Sequence, residues 1–408
     1  MREIPALVDH LFRHEAGKMV ATLVRILGPR QVEMAEDVVQ DALLRALEIW
    51  KFHGVPENPS AWLFQAARHR AIDLLRRKRL FEPAIRRLSR RWALPAPEDD
   101  LRDDQLRLMV LCAQPAVPPE GQVAVILKYL CGFSVREIAQ AFLTSPAAVE
   151  KRLARATRRM KRGPTIDLPG AKGTASRLDS IHQALYLLFS EGYHGSHPER
   201  SVREELCLEA MRLGVLLSEH PATASPATFA LLGLMCFHAA RLPSRVSDGG
   251  SLVLLESQDR SRWSRPLIDE GFRFLAQSTG ASEVTPFHLE AGIAAHHAQA
   301  RSVEETDWTA ILRLYTLLYR LRPTPIVALN RAIALGRVSG PEAGLAELDR
   351  IRDARRLRQY PFLEAARGDL HDRAGRPREA RLHFERAVAL ARNDSERQVL
   401  SRRLSTRP

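Results

Sequence analysis

The sequence predicts an all-helical fold built from more than one domain, and three observations carry that prediction. Apolar residues recur at helical spacing in nearly every segment, and convincing strand-type alternation is missing. Pro, Gly and Ser punctuate these segments at short intervals. The length of 408 residues exceeds what one compact core holds, and a hydrophobic content of 45% suffices to bury several. The one stretch that reads as a short strand is residues 252–255.

Residues 1–80 read as several helices, interrupted at 54–59 by Gly54, Pro56 and Pro59. Residues 81–104 mix Arg with Pro95, Pro97 and the acidic triplet Glu98, Asp99 and Asp100, which predicts a linker. Residues 105–163 form a second compact helical unit. Residues 164–178 follow Gly163 with further Gly and Pro among small polar side chains, a second linker. Residues 179–408 read as a succession of helices. Near the end, Gly368, Ala380, Phe384 and Ala387 sit at the offsets of a tetratricopeptide repeat, with the inter-helix turn at Gly375, Arg376 and Pro377. Residues 325–351 fit that spacing poorly, so the expectation is a tetratricopeptide-like helical stack with degenerate repeats.

The net charge of +13 is local. Residues 61–91 carry a net of +8 and residues 150–162 a net of +6, leaving −1 for the rest of the chain. Two strips suited to a polyanion are therefore expected, not general basicity. The four cysteines form no CxxC pair, which speaks against a zinc ribbon or a dithiol redox site. The N-terminus has no apolar signal region and no apolar run reaches about 20 residues, so a cytoplasmic protein without membrane contact is expected.

The sharpest motif is residues 133–162. Ser134 and Glu137 have the spacing of a capping box, and Ser145 with Pro146 opens the next helix. In that helix Val149, Leu153, Ala156 and Met160 fall within about 60° of one another, a buried stripe. Lys151, Ala154, Arg155, Arg158 and Arg162 lie opposite, with Arg152 counted among the basic contacts. This is helix-turn-helix geometry with a basic outer face suited to a DNA major groove; the bland alternative is a surface hairpin with a solvated face.

Two further helices carry unusual faces. In residues 35–50, Ala35, Val38, Val39, Ala42, Ala46 and Trp50 line one side, while Asp37, Gln40, Asp41, Leu44 and Glu48 line the other. An outward Leu ringed by carboxylates suits docking against a basic protein surface. In residues 60–79, Leu63, Phe64, Ala67, Ala71, Leu74 and Leu75 form the buried side. Trp62, Gln65, His69, Asp73 and Arg76 form the other, running into Arg77, Lys78 and Arg79. Such a face binds phosphates and stacks on unstacked bases, unless Trp62 is simply core.

In chain order these constellations resemble one family. AEDVVQDALLRALEIW resembles region 2.2 of RNA polymerase sigma factors, and NPSAWLFQAARHRAIDLLRRKR resembles regions 2.3 and 2.4. FSVREIAQAFLTSPAAVEKRLARATRRMKR resembles region 4.2. Nothing between them resembles region 3, which points to the minimal extracytoplasmic-function class. The resemblance implies that Asp37, Gln40, Asp41, Leu44 and Glu48 dock on the clamp of core polymerase. It implies that Trp62, Gln65, His69, Arg76 and Arg77 serve the −10 element, with the loop at 54–60 capturing an unstacked base. His69 departs from the commoner Asn at its position. Lys151, Arg152, Ala154, Arg155, Arg158 and Arg162 would serve the −35 element, Lys151 and Arg155 carrying most of the readout. Such a protein recruits polymerase to promoter DNA and carries no catalytic residue, metal or cofactor of its own.

Residues 179–408 exceed a minimal sigma factor. LYLLFSEGYHG, LLESQDRSRWSRPLIDEG and VALNRAIAL resemble the long helical extension of one sigma subgroup, which implies a built-in regulator in intramolecular contact with the sigma domains. No phosphate-binding loop, dinucleotide fingerprint, HExxH or GxSxG occurs in it. His194 with His197, and His296 with His297, lack neighbouring ligands and read as helix-surface histidines. Asp259 and Arg260 beside Trp263, like Glu191 beside Tyr193, are compatible with a polar pocket or with an inter-helix hydrogen-bond network. The rival readings are a free-standing helix-turn-helix regulator and an enzyme or small-molecule sensor residing in residues 179–408.

Overall fold

The structure is a computed structural model that describes residues 3–77, 98–142, 144–162, 176–194, 202–247, 252–280, 283–351, 357–391 and 394–405. The chain divides into two compact units: unit 1 holds residues 1–191 and 205–224, and unit 2 holds 192–204 and 225–408. The described residues form helices joined by turns and loops, with no strand among them, as the periodicity predicts.

Unit 1 begins with three helices, α1 (Glu3–Leu27), α2 (Val32–His53) and α3 (Pro59–Arg77). Their apolar stripes meet over Met19, Leu23, Val38, Trp50, Leu63 and Ala67, all essentially buried. Gly54 ends α2 at φ 79, a conformation that a side chain would strain, and Asn58 opens α3 by accepting the Ala61 N–H at 2.9 Å. Four more helices follow: α4 (Glu98–Cys112), α5 (Pro119–Tyr129), α6 (Val135–Ala141) and α7 (Pro146–Met160). The backbone of the acidic triplet expected in the linker instead forms the first turn of α4. Residues 81–97 of that expected linker lie outside the described residues.

The first three helices and the next four share a core. Buried Asp104 of α4 accepts a hydrogen bond from Thr22 at 3.0 Å and sits 2.7 Å from Arg25. Gly17 of α1 lies so close to the backbone after α5 that a Cβ there would stand 2.2 Å from the Leu130 carbonyl oxygen. Two helices expected in the extension, α8 (Leu178–His194) and α9 (Glu204–Glu219), also place most of their length in this unit. Arg212 of α9 donates to Gln105 at 3.1 Å, and Arg177 donates to the Val110 carbonyl at 2.9 Å. The compact boundary therefore falls beyond residue 179. Most of residues 164–178, read as a linker, lies outside the described residues.

Unit 2 is built around α10 (Pro226–Ala239), which is apolar on all sides and correspondingly buried. Next come a short α11 (Leu242–Arg245) and α12 (Arg265–Gln277). The strand expected at 252–255 is only a single bridge between Val246 and Leu252, followed by a 3-10 turn at Leu255–Ser257. The rest is a chain of packed helices: α13 (Pro286–Gln299), α14 (Trp308–Leu321), α15 (Pro325–Val338), α16 (Pro341–Asp349), α17 (Pro361–Arg373), α18 (Pro377–Ala389) and α19 (Asp394–Ser405).

The α17–α18 hairpin turns at Gly375, and a Cβ on Gly368 would stand 2.7 Å from the Phe384 ring. A second hairpin, α15–α16, closes differently. There Gly336 and Gly344 face each other and Leu370 fills the gap, which is why residues 325–351 fit a Gly-and-Phe spacing poorly.

Candidate nucleic-acid interface

The helix pair α6–α7 is set by local chemistry. The Ser134 N–H donates to Glu137 at 2.8 Å and the Glu137 N–H donates to the Ser134 hydroxyl at 3.2 Å, closing the capping box. The Ser145 hydroxyl accepts the Ala148 N–H at 3.3 Å, with Pro146 in the first turn. Val149, Leu153, Ala156 and Met160 are buried, and Thr157 joins them through a 3.0 Å hydrogen bond with the Tyr129 hydroxyl. Burial holds that phenol protonated well above its usual range.

Lys151, Ala154, Arg155, Arg158 and Arg162 are all exposed, forming one basic strip along α7. Arg152 stands apart from them. Its guanidinium pairs with Glu120 at 2.7 Å and lies 4.9 Å from the Phe142 ring centre, stapling α7 to α5 and α6. Lys161 is likewise drawn inward to an ion pair with Glu33.

On α2 the carboxylate face is outward: Asp37, Gln40 and Glu48 are exposed, and Leu44 is 58% exposed. Asp41 is only half-exposed because it pairs with Arg70 of α3 at 2.7 Å. Gln40 donates to Glu36 at 2.7 Å, and Glu36 also holds Lys128 at 2.5 Å. Burial raises the Glu36 pKa in spite of that lysine. Gln40 and Glu36 line a groove of about 270 Å³ together with Lys128 and Glu137 of the second helical group.

On α3, Trp62 is half-buried and meets the buried Trp50 edge-on at 5.4 Å. Gln65 and His69 approach each other at 3.4 Å, and His69 and Arg76 are exposed. The Arg77 side chain and residues 78–79 lie outside the described residues. Two features escaped sequence reasoning. Arg70 bridges the two helices, and Phe52 at the end of α2 is 78% exposed with Lys51 above its ring at 5.8 Å. Phe52 was legible in principle, since it falls off the phase of the stripe that ends at Trp50.

Among the described residues, no three His, Cys, Asp or Glu side chains gather as a metal ion requires. His297 is 9% exposed, so it is buried and not the surface histidine expected. No described helix is long and apolar enough to cross a membrane.

Known families cover three stretches of the chain. Residues 11–81 match Sigma-70 region 2, residues 107–160 match Sigma-70 region 4, and residues 177–279 match a family of unknown function, DUF6596. An uncharacterised protein of Rhizobium meliloti (strain 1021) is 39% identical over 387 residues, spanning 90% of this chain and 88% of the relative. No solved structure matches the chain at a significant level.

Proposed function

We propose, from the premise that the chain belongs to the sigma-70 family, that it is an initiation factor of the extracytoplasmic-function class with a built-in regulatory extension. In this reading the factor binds core RNA polymerase, directs it to promoters bearing its −35 and −10 elements, and leaves bond-making to polymerase. The observation that carries the reading is the pairing, within unit 1, of an exposed basic strip on α7 with an exposed carboxylate face around Leu44 on α2. A free-standing DNA-binding regulator has no use for the second surface.

Lys151 and Arg155 read −35 bases, while Arg158 and Arg162 hold phosphates. Arg152 supports the helix from behind, given its tie to Glu120. Asp37, Gln40, Asp41, Leu44 and Glu48 dock on the polymerase clamp. Trp62, Gln65, His69, Arg76 and Arg77 face the −10 element, with Trp62 anchored on Trp50. The tetratricopeptide-like helices of the extension regulate these surfaces. The contacts of Arg177 and Arg212 with Val110 and Gln105 support a route for that control through α8 and α9.

The test is transcription in vitro with core polymerase and genomic DNA, followed by sequencing of transcript 5′ ends. New start sites sharing −35 and −10 sequences are expected. Sequence-specific DNA binding without any new start site would favour the free-standing regulator.

A further inference from the structure

Three arginines of unit 2 gather around two aromatic rings. The Arg245 guanidinium lies 3.9 Å from the centre of the Tyr193 ring and that of Arg241 lies 5.9 Å from the same ring. Arg241 is also 5.5 Å from the centre of the Trp263 ring, and Arg260 is 5.1 Å from it. Two of the three are committed to backbone. Arg260 donates to the His297 and Ala300 carbonyls at 2.9 Å each and to Thr306 at 3.3 Å. Arg245 donates to the Tyr193 carbonyl at 2.9 Å and reaches the His194 ring at 2.9 Å. Arg241 is different. Its Nε donates to Gln258 at 3.1 Å, and its two terminal amino groups make no hydrogen bond among the described residues. Gln258 is itself aimed, since its amide donates to the Val253 carbonyl at 2.9 Å.

No carboxylate of the described residues forms an ion pair with Arg241, Arg245 or Arg260. Glu304 and Glu305 act on Arg260 only through space. Asp259, next in sequence, spends its carboxylate on Ser261, which donates both its N–H and its hydroxyl to the same oxygen. Burial, and then the charges of Arg245 and Arg260, lower the Arg241 pKa against the opposing pull of Tyr193. A second, independent observation points the same way. Trp263 is 6% exposed, yet its indole N–H has no hydrogen-bond partner among the described residues. Cation–ring contacts soften the field of an arginine, but they do not neutralise it, and an orphaned buried donor is costly. Among the described residues, this recessed cluster of positive charge with unused donors meets no negatively charged acceptor.

We propose that unit 2 is a receptor for a small, multiply charged oxyanion, either a phosphate or a polycarboxylate. The anion is gripped by the terminal amino groups of Arg241 and by the Trp263 indole N–H, with Arg245 and Arg260 supplying charge. A nucleic-acid backbone does not fit this site. All three arginines are half-buried, and residues 164–408 together carry only +4, so no extended positive field surrounds the cluster. The inference concerns unit 2 by itself and stands whether or not the extension regulates transcription.

The test is calorimetric titration of the full chain with inorganic phosphate, glycerol 3-phosphate, succinate and citrate, against chloride at matched ionic strength. Saturable one-to-one binding by the phosphates or by the carboxylates is expected, and the pattern across the four separates the two sources. Arg241→Gln should weaken that binding at least about tenfold, the scale of a lost charge-assisted hydrogen bond. Arg262→Gln, at an exposed neighbour, should leave it unchanged. Trp263→Phe keeps a ring against the arginines and removes only the N–H, so it should weaken binding several-fold. It carries the test if Arg241→Gln fails to fold. Binding of none of the four above chloride would overturn the proposal, as would wild-type affinity in the folded variants.

Discussion

Glu209 of α9 and His14 of α1 meet at 3.5 Å within unit 1, and Arg212 holds the same carboxylate at 2.8 Å. Glu209 is 3% exposed, so burial by itself would raise its pKa. The hydrogen bonds from Arg212 and His14 more than offset that, and the net shift is downward. A carboxyl group with a depressed folded pKa stabilises above its usual value of 4.5 and loses that contribution as pH falls through the folded value. Glu209→Gln should therefore lower stability at pH 7 by about 1–3 kcal/mol and flatten the acid limb of the stability profile below pH 4.5. Urea unfolding at several pH values measures both. An unchanged acid limb would mean that the seam between α9 and α1 contributes nothing.

The same seam bears on truncation. A chain ending at Gly163 loses α8 and α9, whereas one ending at Ala224 keeps all of unit 1. The longer fragment should melt at the higher temperature, because Ile181, Leu185, Leu188, Leu213 and Leu217 are fully buried there. Equal melting temperatures would return the compact boundary to residue 163.

Acid should also weaken unit 2, by a separate route. Burial, together with nearby Arg241, pushes the pKa of His238 and of His297 down to about 3 from the usual 6.5. Unfolded rings take up protons below pH 6.5 while the folded ones do not, so stability is lost as pH falls from 6.5 toward 3. The steepest loss is about 1.4 kcal/mol per pH unit for each ring. His297→Gln should reduce the slope between pH 6.5 and 5 in denaturant titrations. An identical slope would assign the acid sensitivity to other groups.

Polymerase docking is best probed at Leu44, not Asp41. Asp41→Arg would break the pair with Arg70 and set two arginines together, confounding fold with binding. Leu44 is 58% exposed and its replacement removes no buried contact. Leu44→Asp should change stability by less than about 0.5 kcal/mol and weaken core-polymerase binding about tenfold or more. Undiminished co-purification with core polymerase would take this surface out of the proposal.

What was legible in the sequence was what local chemistry decides. Ser134 with Glu137 and the stripe from Val149 to Met160 depend on neighbours within one or two turns, so spacing revealed them. Gly368 opposite Phe384 was legible because a small residue facing a ring at fixed offsets is a local signature. Contacts made at a distance were not. The close pass of Gly17 under Leu130, the Asp41–Arg70 pair and the meeting of Arg260 with Arg241 and Arg245 each depend on how helices cross. Arg152 is intermediate. At about 100° per residue it sits about 40° from Ala156, on the shoulder of the buried stripe, so its inward role could have been read from phase alone.

That shoulder position sets up the discriminating experiment on α7. Arg155 is exposed and held only by a 3.3 Å bond from its Nε to the Lys151 carbonyl, which leaves its terminal amino groups available for a base edge. Arg155→Ala should relax or abolish preference at one or two −35 positions, worth about 1–3 kcal/mol for a bidentate contact. Arg162, exposed just beyond the helix end, suits a phosphate. Its removal should weaken binding evenly across sequences and lower the salt slope by about one unit at most. Arg152→Ala should do neither. It should cost stability, about 1 kcal/mol, by removing the pair with Glu120 and the stack on Phe142, while sequence preference stays intact. Binding to a randomised −35 library, read beside melting temperature for the same three variants, separates the roles. One uniform loss shared by all three would mean that the exposed strip is not the reading face.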